Sequence, residues 1–105
     1  MAQFFVYDNI NPTSRERYPY LLDIQSNLLS ELRTTLVIPL MPANVAAPIS
    51  MSRLNPMFDI DGAAYVAITQ DLASIDRSRL GAKVKDFSAY HADIVAAIDF
   101  VLAGI

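Results

Sequence analysis

The chain has 105 residues, 53% of them hydrophobic and 18% charged, with a formal net charge of -3 and a pI near 4.8. The acidic balance argues against a broad electrostatic grip on nucleic acid, which needs clustered Lys and Arg. With no cysteine, disulfides, zinc–thiolate sites and thiol catalysis are excluded, and the composition fits a reducing cytoplasm.

The length predicts a single domain over residues 1–105. A domain of this size cannot hide so much apolar surface, so self-association or a sticky partner surface is expected. The start, Met-Ala-Gln-Phe-Phe-Val-Tyr-Asp, shows no basic stretch followed by an apolar core, so no secretory leader is expected. The most apolar run, residues 94–105, is too short to span a bilayer and Asp99 interrupts it. A cytoplasmic protein without membrane contact is the expectation.

Residues 3–8 read as a first strand, with Phe4 and Val6 on one face and Phe5 and Tyr7 on the other, so burial on two sides is predicted. Residues 9–17 form a polar loop closed by Arg15, Glu16 and Arg17, either a solvated loop end or a partner-binding loop. Residues 18–25 read as a second strand, with Pro19 at its start or edge. Asp23 and Gln25 point the same way and read as hydrogen-bonding anchors for a turn rather than acid–base groups. Residues 26–33 connect, with Leu28 and Leu29 apolar inside a polar segment. Residues 34–40 form a continuous apolar strand, central and buried, ending around Pro39.

Residues 41–55 make the longest loop, with room for one short helical turn. Residues 57–70 are the clearest hairpin: Asp61-Gly62 signals a type I′ turn, which pairs Ile60 with Ala63, Asp59 with Ala64 and Phe58 with Tyr65. The last of these would be a cross-strand aromatic pair. Residues 71–74 turn, residues 75–80 read as an edge strand guarded by Arg77 and Arg79, Gly81-Ala82 turn again, and residues 83–87 are irregular. The terminal segment, residues 86–105, is the one strong helix, N-capped by Ser88 and stopped by Gly104. Tyr90, Ile94, Ile98 and Val101 recur on one face. The fold class is therefore mainly β with one C-terminal helix: a strongly bent antiparallel sheet or small barrel.

The sequence offers little catalytic chemistry. The single histidine, His91, has no acidic or His residue three or four positions on and reads as a surface helix residue. The three glycines make no phosphate-binding loop, and there is no Gly-x-Ser-x-Gly. No metal or other cofactor is expected, and the protein is not expected to be an enzyme.

In order and at near-constant spacing, the segments resemble the CcdB toxins of bacterial toxin–antitoxin modules. The resemblance runs through Gln3-Phe4-x-Val6-Tyr7, Asp23-Ile24-Gln25-Ser26, Leu36-Val37-Ile38-Pro39-Leu40 and Asn55-Pro56 leading into Phe58-Asp59-Ile60. It continues through Thr69-x-Asp71-Leu72-Ala73-Ser74 and Ala97-Ile98 to the closing Gly104-Ile105. It implies an SH3-like barrel of the CcdB/Kid/MazF type and a homodimer joined through the C-terminal helices. It implies a non-enzymatic toxin that binds the DNA gyrase A subunit, traps gyrase on cleaved DNA, and is neutralised by a CcdA-like antitoxin. Carried over by position, the gyrase-facing surface would include Gly104, Ile105, Ala103, Asp99, Val95 and His91, together with Leu28 and Leu29 of a nearby loop; Ala92 and Ala96 share the helix face. Arg15 and Arg17 are candidates for antitoxin contact. Ala103 stands where the family's best-known member has Trp, so the aromatic anchor that often dominates an interface is missing. The same barrel serves MazF/Kid-like endoribonucleases, and a diverged, non-toxic antitoxin-binding copy is a further alternative.

Overall fold

Side-chain alternation decides how the sheet is buried. The computed structural model describes residues 3–46 and 53–104. The strands are β1 (Phe5–Asn9), β2 (Tyr20–Asp23), β3 (Thr34–Pro42), β4 (Met57–Ile60), β5 (Ala63–Ala67), β6 (Ala73–Asp76) and β7 (Leu80–Asp86), with a short helix α1 (Ala43–Ala46) and the terminal helix α2 (His91–Ala103). The strands join antiparallel in the order β4-β5-β3-β2-β1-β7, and β6 lies along the first half of β3. The result is a curled half-barrel with one C-terminal helix, as the sequence predicts.

Val6, Leu22 and Ile38 stand opposite one another across β1, β2 and β3. All three are buried in the main core with Phe4, Leu40, Phe58, Ile60, Phe87 and Ile94 of α2. The other face is buried too: Tyr7, Leu21 and Val37 are each 7% exposed or less. That is the two-sided burial the first strand predicts. At the two ends of the strand path, the Lys85 ammonium on β7 donates to the Asp59 carbonyl on β4 at 3.0 Å.

The hairpin forms in the predicted register, and Asp61 and Gly62 both take positive φ, 52° and 84°, as a type I′ turn demands. Phe58 and Tyr65 are opposite, yet their rings find other neighbours. Phe58 packs on Phe87 and Tyr90 at 4.6 and 5.1 Å, and Tyr65 meets Tyr20 at 5.1 Å, because the curl of the sheet draws Phe58 toward α2.

Several boundaries differ from expectation for local reasons. Strand β3 does not end at Pro39 but runs through it. The Pro39 carbonyl accepts from the Ile68 N–H where β6 has ended and β5 has not begun, so its missing N–H leaves no ladder rung open. The predicted edge strand 75–80 is displaced: β6 ends at Asp76, whose carboxylate accepts the Ser78 N–H and caps a 3-10 turn over Arg77–Arg79. Residues 81–86 are neither turn nor irregular but belong to β7. Their pairing to β1 shifts register between Val6 and Tyr7 and again between Tyr7 and Asn9, which blurs the alternation. Gly81 serves close approach: a Cβ there would lie 2.8 Å from Ile10 Cγ2 and 2.9 Å from the Asp8 carbonyl oxygen.

The terminal helix also starts later than predicted. The Ser88 hydroxyl is not its cap. Asp86 accepts the Ser88 N–H at 2.8 Å, residues Ser88–Tyr90 form a 3-10 turn, and α2 proper begins at His91. Phe87 explains the delay. It is fully buried, and its N–H is fixed to the Phe4 carbonyl at 2.7 Å, so the chain must dip into the core before the helix can rise. No helix among the described residues is long and apolar enough to cross a membrane.

Candidate functional site

Helix α2 is amphipathic in a narrow sense. Ile94 and Ala97 are buried, Ile98 and Val101 half-buried, and His91, Ala92, Asp93, Ala96, Asp99, Leu102 and Ala103 exposed. Thus His91, Asp99 and Ala103 are placed outward, as predicted, with Ala92 and Ala96 between them. Val95 is different: it is half-buried and packs against the main core, so it lies at the margin of the outward face. Tyr90 belongs to the packing face despite 40% exposure, through ring contacts to Phe58 and Phe87.

The helix closes as its sequence dictates. Gly104 takes φ 73°, a left-handed conformation that glycine adopts without strain, and its N–H returns to the Phe100 carbonyl at 2.9 Å. Leu102 is 76% exposed beside it. The last predicted contact, Ile105, lies outside the described residues.

Leu28 and Leu29 sit on a 3-10 turn, Asn27–Leu29, whose cap is the Ser26 hydroxyl accepting the Leu28 N–H. They are 93% and 46% exposed, and Leu32 adds a third exposed leucine at 49%. The N-terminal segment ties this turn to the start of α2. The Gln3 N–H donates to Asn27 Oδ1 at 3.0 Å, while the Phe4 ring stands edge-on to His91 at 5.3 Å. Phe4 holds an uncommon positive φ of 66°, fixed by its N–H to the Asp23 carbonyl and its carbonyl to the Phe87 N–H. The predicted residues therefore fall into two groups. Leu28, Leu29 and His91 share one region, and Ala103 lies about 18 Å further along the helix axis.

The loop bearing Arg15 and Arg17 is exposed and shaped by its asparagines. Asn9, buried, donates to Ser14 Oγ and the Tyr18 carbonyl, and Asn11 Oδ1 accepts from Thr13. Arg17 lies over the Tyr18 ring at 5.4 Å, whereas Arg15 and Glu16 border a shallow depression of about 430 Å³ with Asp8, Ile10 and Pro19. A second groove, about 370 Å³, runs beside α2 between Arg53, Pro56, Met57, Asp93 and Ala96.

Asp23 behaves as the structural anchor its position suggests. It is fully buried, and Oδ1 accepts from the Thr35 hydroxyl at 2.8 Å and the Gln25 N–H at 3.2 Å, while Oδ2 has no partner. Burial pushes its carboxyl up from the ordinary range, and those hydrogen bonds and the Arg77 charge only partly offset this. Burial, reinforced by the charge of Asp23, likewise raises the Tyr7 phenol. No group of three or more His, Cys, Asp or Glu side chains able to hold a metal occurs among the described residues. Arg77 is a partner of the leucine loop that the sequence does not announce. Its guanidinium reaches the Leu29 and Leu32 carbonyls, a contact across more than forty residues that no local pattern reveals.

Comparison with known proteins adds two findings. The model of the family described as "CcdB protein" matches residues 3–104. A solved structure described as an endoribonuclease in complex with its cognate antitoxin, from a mycobacterial species, is similar with a TM-score of 0.73 at 13% identity, covering 97% of this chain and 94% of that one. At that identity the likeness speaks for the fold.

Proposed function

Because the chain belongs to the CcdB family, toxins of toxin–antitoxin modules, we propose that it binds the DNA gyrase A subunit and traps the gyrase–DNA cleavage complex. It acts as a homodimer, without catalysing a reaction of its own, and a CcdA-like antitoxin neutralises it. The observation that carries this reading is the family match over residues 3–104. Two features support it: the exposed outward face of α2 ending at Gly104, and the exposed pair Leu28 and Leu29. Both present chemistry suited to docking on a protein rather than to turning over a substrate. Exposed leucines clustered on a small domain are what a protein partner buries, and the alanines let it approach the helix closely.

The small Ala103 leaves room where a large aromatic would anchor the contact, so the remaining affinity is spread over Leu102, Gly104 and the leucine loop. Contact with the antitoxin falls to the exposed loop of Arg15 and Arg17. Deleting Gly104 and Ile105 tests the role of the tail: growth inhibition should vanish while the dimer persists in size-exclusion chromatography. Undiminished toxicity would refute it.

A second reading draws on the fold neighbour, an endoribonuclease, and on the exposed Arg15-Glu16-Arg17 cluster beside the shallow depression. Incubation of purified protein with long RNA decides it, since cleavage lost on Arg15→Ala or Arg17→Ala would replace the gyrase reading. The net charge of -3 weighs against RNA as the substrate.

A further inference from the structure

The loop between β2 and β3 exposes Leu28, Leu29 and Leu32, so burial of its side chains does not set its shape. Its own hydrogen bonds are short-range. Leu29 N–H returns to the Ser26 carbonyl, Ser30 N–H to Asn27 and Leu32 N–H to Leu29. Such bonds close single turns but do not orient them against the sheet. At the loop's mouth Ile24 N–H and the Gln25 amide donate to the Leu36 and Thr34 carbonyls, and the outer turn is oriented by Gln3 on one flank and Arg77 on the other.

Arg77 makes the more extensive contact. Its Nε donates to the Leu32 carbonyl at 2.6 Å and its Nη2 to the Leu29 carbonyl at 3.1 Å, so one planar guanidinium holds two points of the leucine turn. The arginine is itself fixed. Its backbone N–H donates to the Arg33 carbonyl at 2.9 Å, and it opens the 3-10 turn that Asp76 caps. Asp76 also pairs with the Arg33 guanidinium at 2.8 Å. Hydrogen bonds from Ser78, then from Arg33, hold the Asp76 carboxyl down at about 2, so it stays ionised wherever the protein works. Residues 76 and 77 thus clamp the loop at Leu29, Leu32 and Arg33.

We propose that Arg77 is a positioning residue for target binding: it pre-shapes the loop so that Leu28 and Leu29 are presented together on one docking surface. This rests on the gyrase reading for the identity of the partner. A loop already held in its bound shape loses less freedom on docking, which is where the affinity is gained. Lysine replaces the arginine only in part, because a single ammonium on a flexible stem does not span two carbonyls in a fixed fork.

The experiment pairs amide hydrogen exchange with binding to purified gyrase A subunit, using the full-length protein. Arg77→Ala should speed exchange at Leu29, Ser30 and Leu32 by about tenfold without altering exchange in β1, β2 or α2. It should weaken binding to gyrase A by about tenfold. Arg77→Lys should fall between wild type and Arg77→Ala in both readouts. With Arg77→Ala, added ethylguanidinium, which replaces the atoms removed beyond Cβ, should restore both loop protection and affinity, which loss of general stability would not allow. Unchanged loop exchange in Arg77→Ala overturns the proposal; if affinity still falls, Arg77 touches the partner directly. Wild-type protein that fails to bind gyrase A refutes the target instead, a result read without any variant and so separable from failure of the clamp.

Discussion

Replacing Asp23 with asparagine should make the protein more stable at neutral pH and leave it unchanged in acid. The carboxyl is fully buried between β2 and β3 and takes two hydrogen bonds on Oδ1, while Oδ2 has none. Asparagine keeps the accepting oxygen for Thr35 and Gln25. The second position, unpartnered as oxygen, stays unpartnered as an amide NH2, so that cost largely cancels in the comparison. What differs is ionisation. Burial raises the folded pKa above the unfolded value of 3.8, so the folded protein holds this proton where the unfolded chain has released it. The contribution to stability is therefore full below the unfolded pKa and is lost as pH rises through the folded pKa.

Both hydrogen bonds on Oδ1 are kept and only the buried charge is removed, so a gain at pH 7 on the usual scale of a single substitution, about 1 kcal/mol, is expected for Asp23→Asn. For a domain of this length that is a rise in Tm of about 5 °C. The assay is thermal and urea unfolding of wild type and Asp23→Asn from pH 3 to pH 8. The two curves should meet near pH 3 and diverge above the unfolded pKa, the wild type falling behind. A loss of stability on substitution that is the same at pH 3 and pH 7 would instead make Asp23 a net favourable group whatever its charge.

Other substitutions probe separate parts of the fold. Phe87→Ala should cost about 3–5 kcal/mol, since the ring is fully buried between Phe58 and Tyr90 where α2 meets the barrel; urea unfolding measures it, and a cost under about 1 kcal/mol would contradict the packing. Gly81→Ala and Gly62→Ala separate crowding from backbone strain. The first should cost about 1–3 kcal/mol because a Cβ meets Ile10 and the Asp8 carbonyl. The second has open space around it and should cost about 1 kcal/mol from its positive φ alone. If shortening Ile10 to alanine rescues Gly62→Ala rather than Gly81→Ala, the assignment is wrong.

Local chemistry made some of this structure legible in the sequence and concealed the rest. The Asp61-Gly62 hairpin could be read to the residue because a type I′ turn fixes register by itself. The central place of β3 followed from its unbroken apolar run, and the stop at Gly104 from glycine's freedom at positive φ. What stayed hidden depends on contacts distant in sequence. Strand β7 was obscured because two register shifts break its alternation against β1. The late start of α2 is imposed by Phe87 entering the core, which outweighs the N-cap preference of Ser88. Arg77 looked like an edge guard because its sequence neighbours gave no sign of the loop it holds. The outward stripe of α2 could be anticipated from helical spacing, but its use could not: Ala92, Ala96 and Ala103 carry no chemistry, and only the family resemblance marks that face.

Induction of the toxin in a sensitive host, followed by assay of cleaved DNA covalently held by gyrase, shows whether it acts by trapping gyrase. Cleavage complexes should accumulate as growth stops, and neither should occur when Gly104 and Ile105 are deleted. Growth arrest without cleavage complexes, accompanied by fragmentation of cellular RNA, would contradict it.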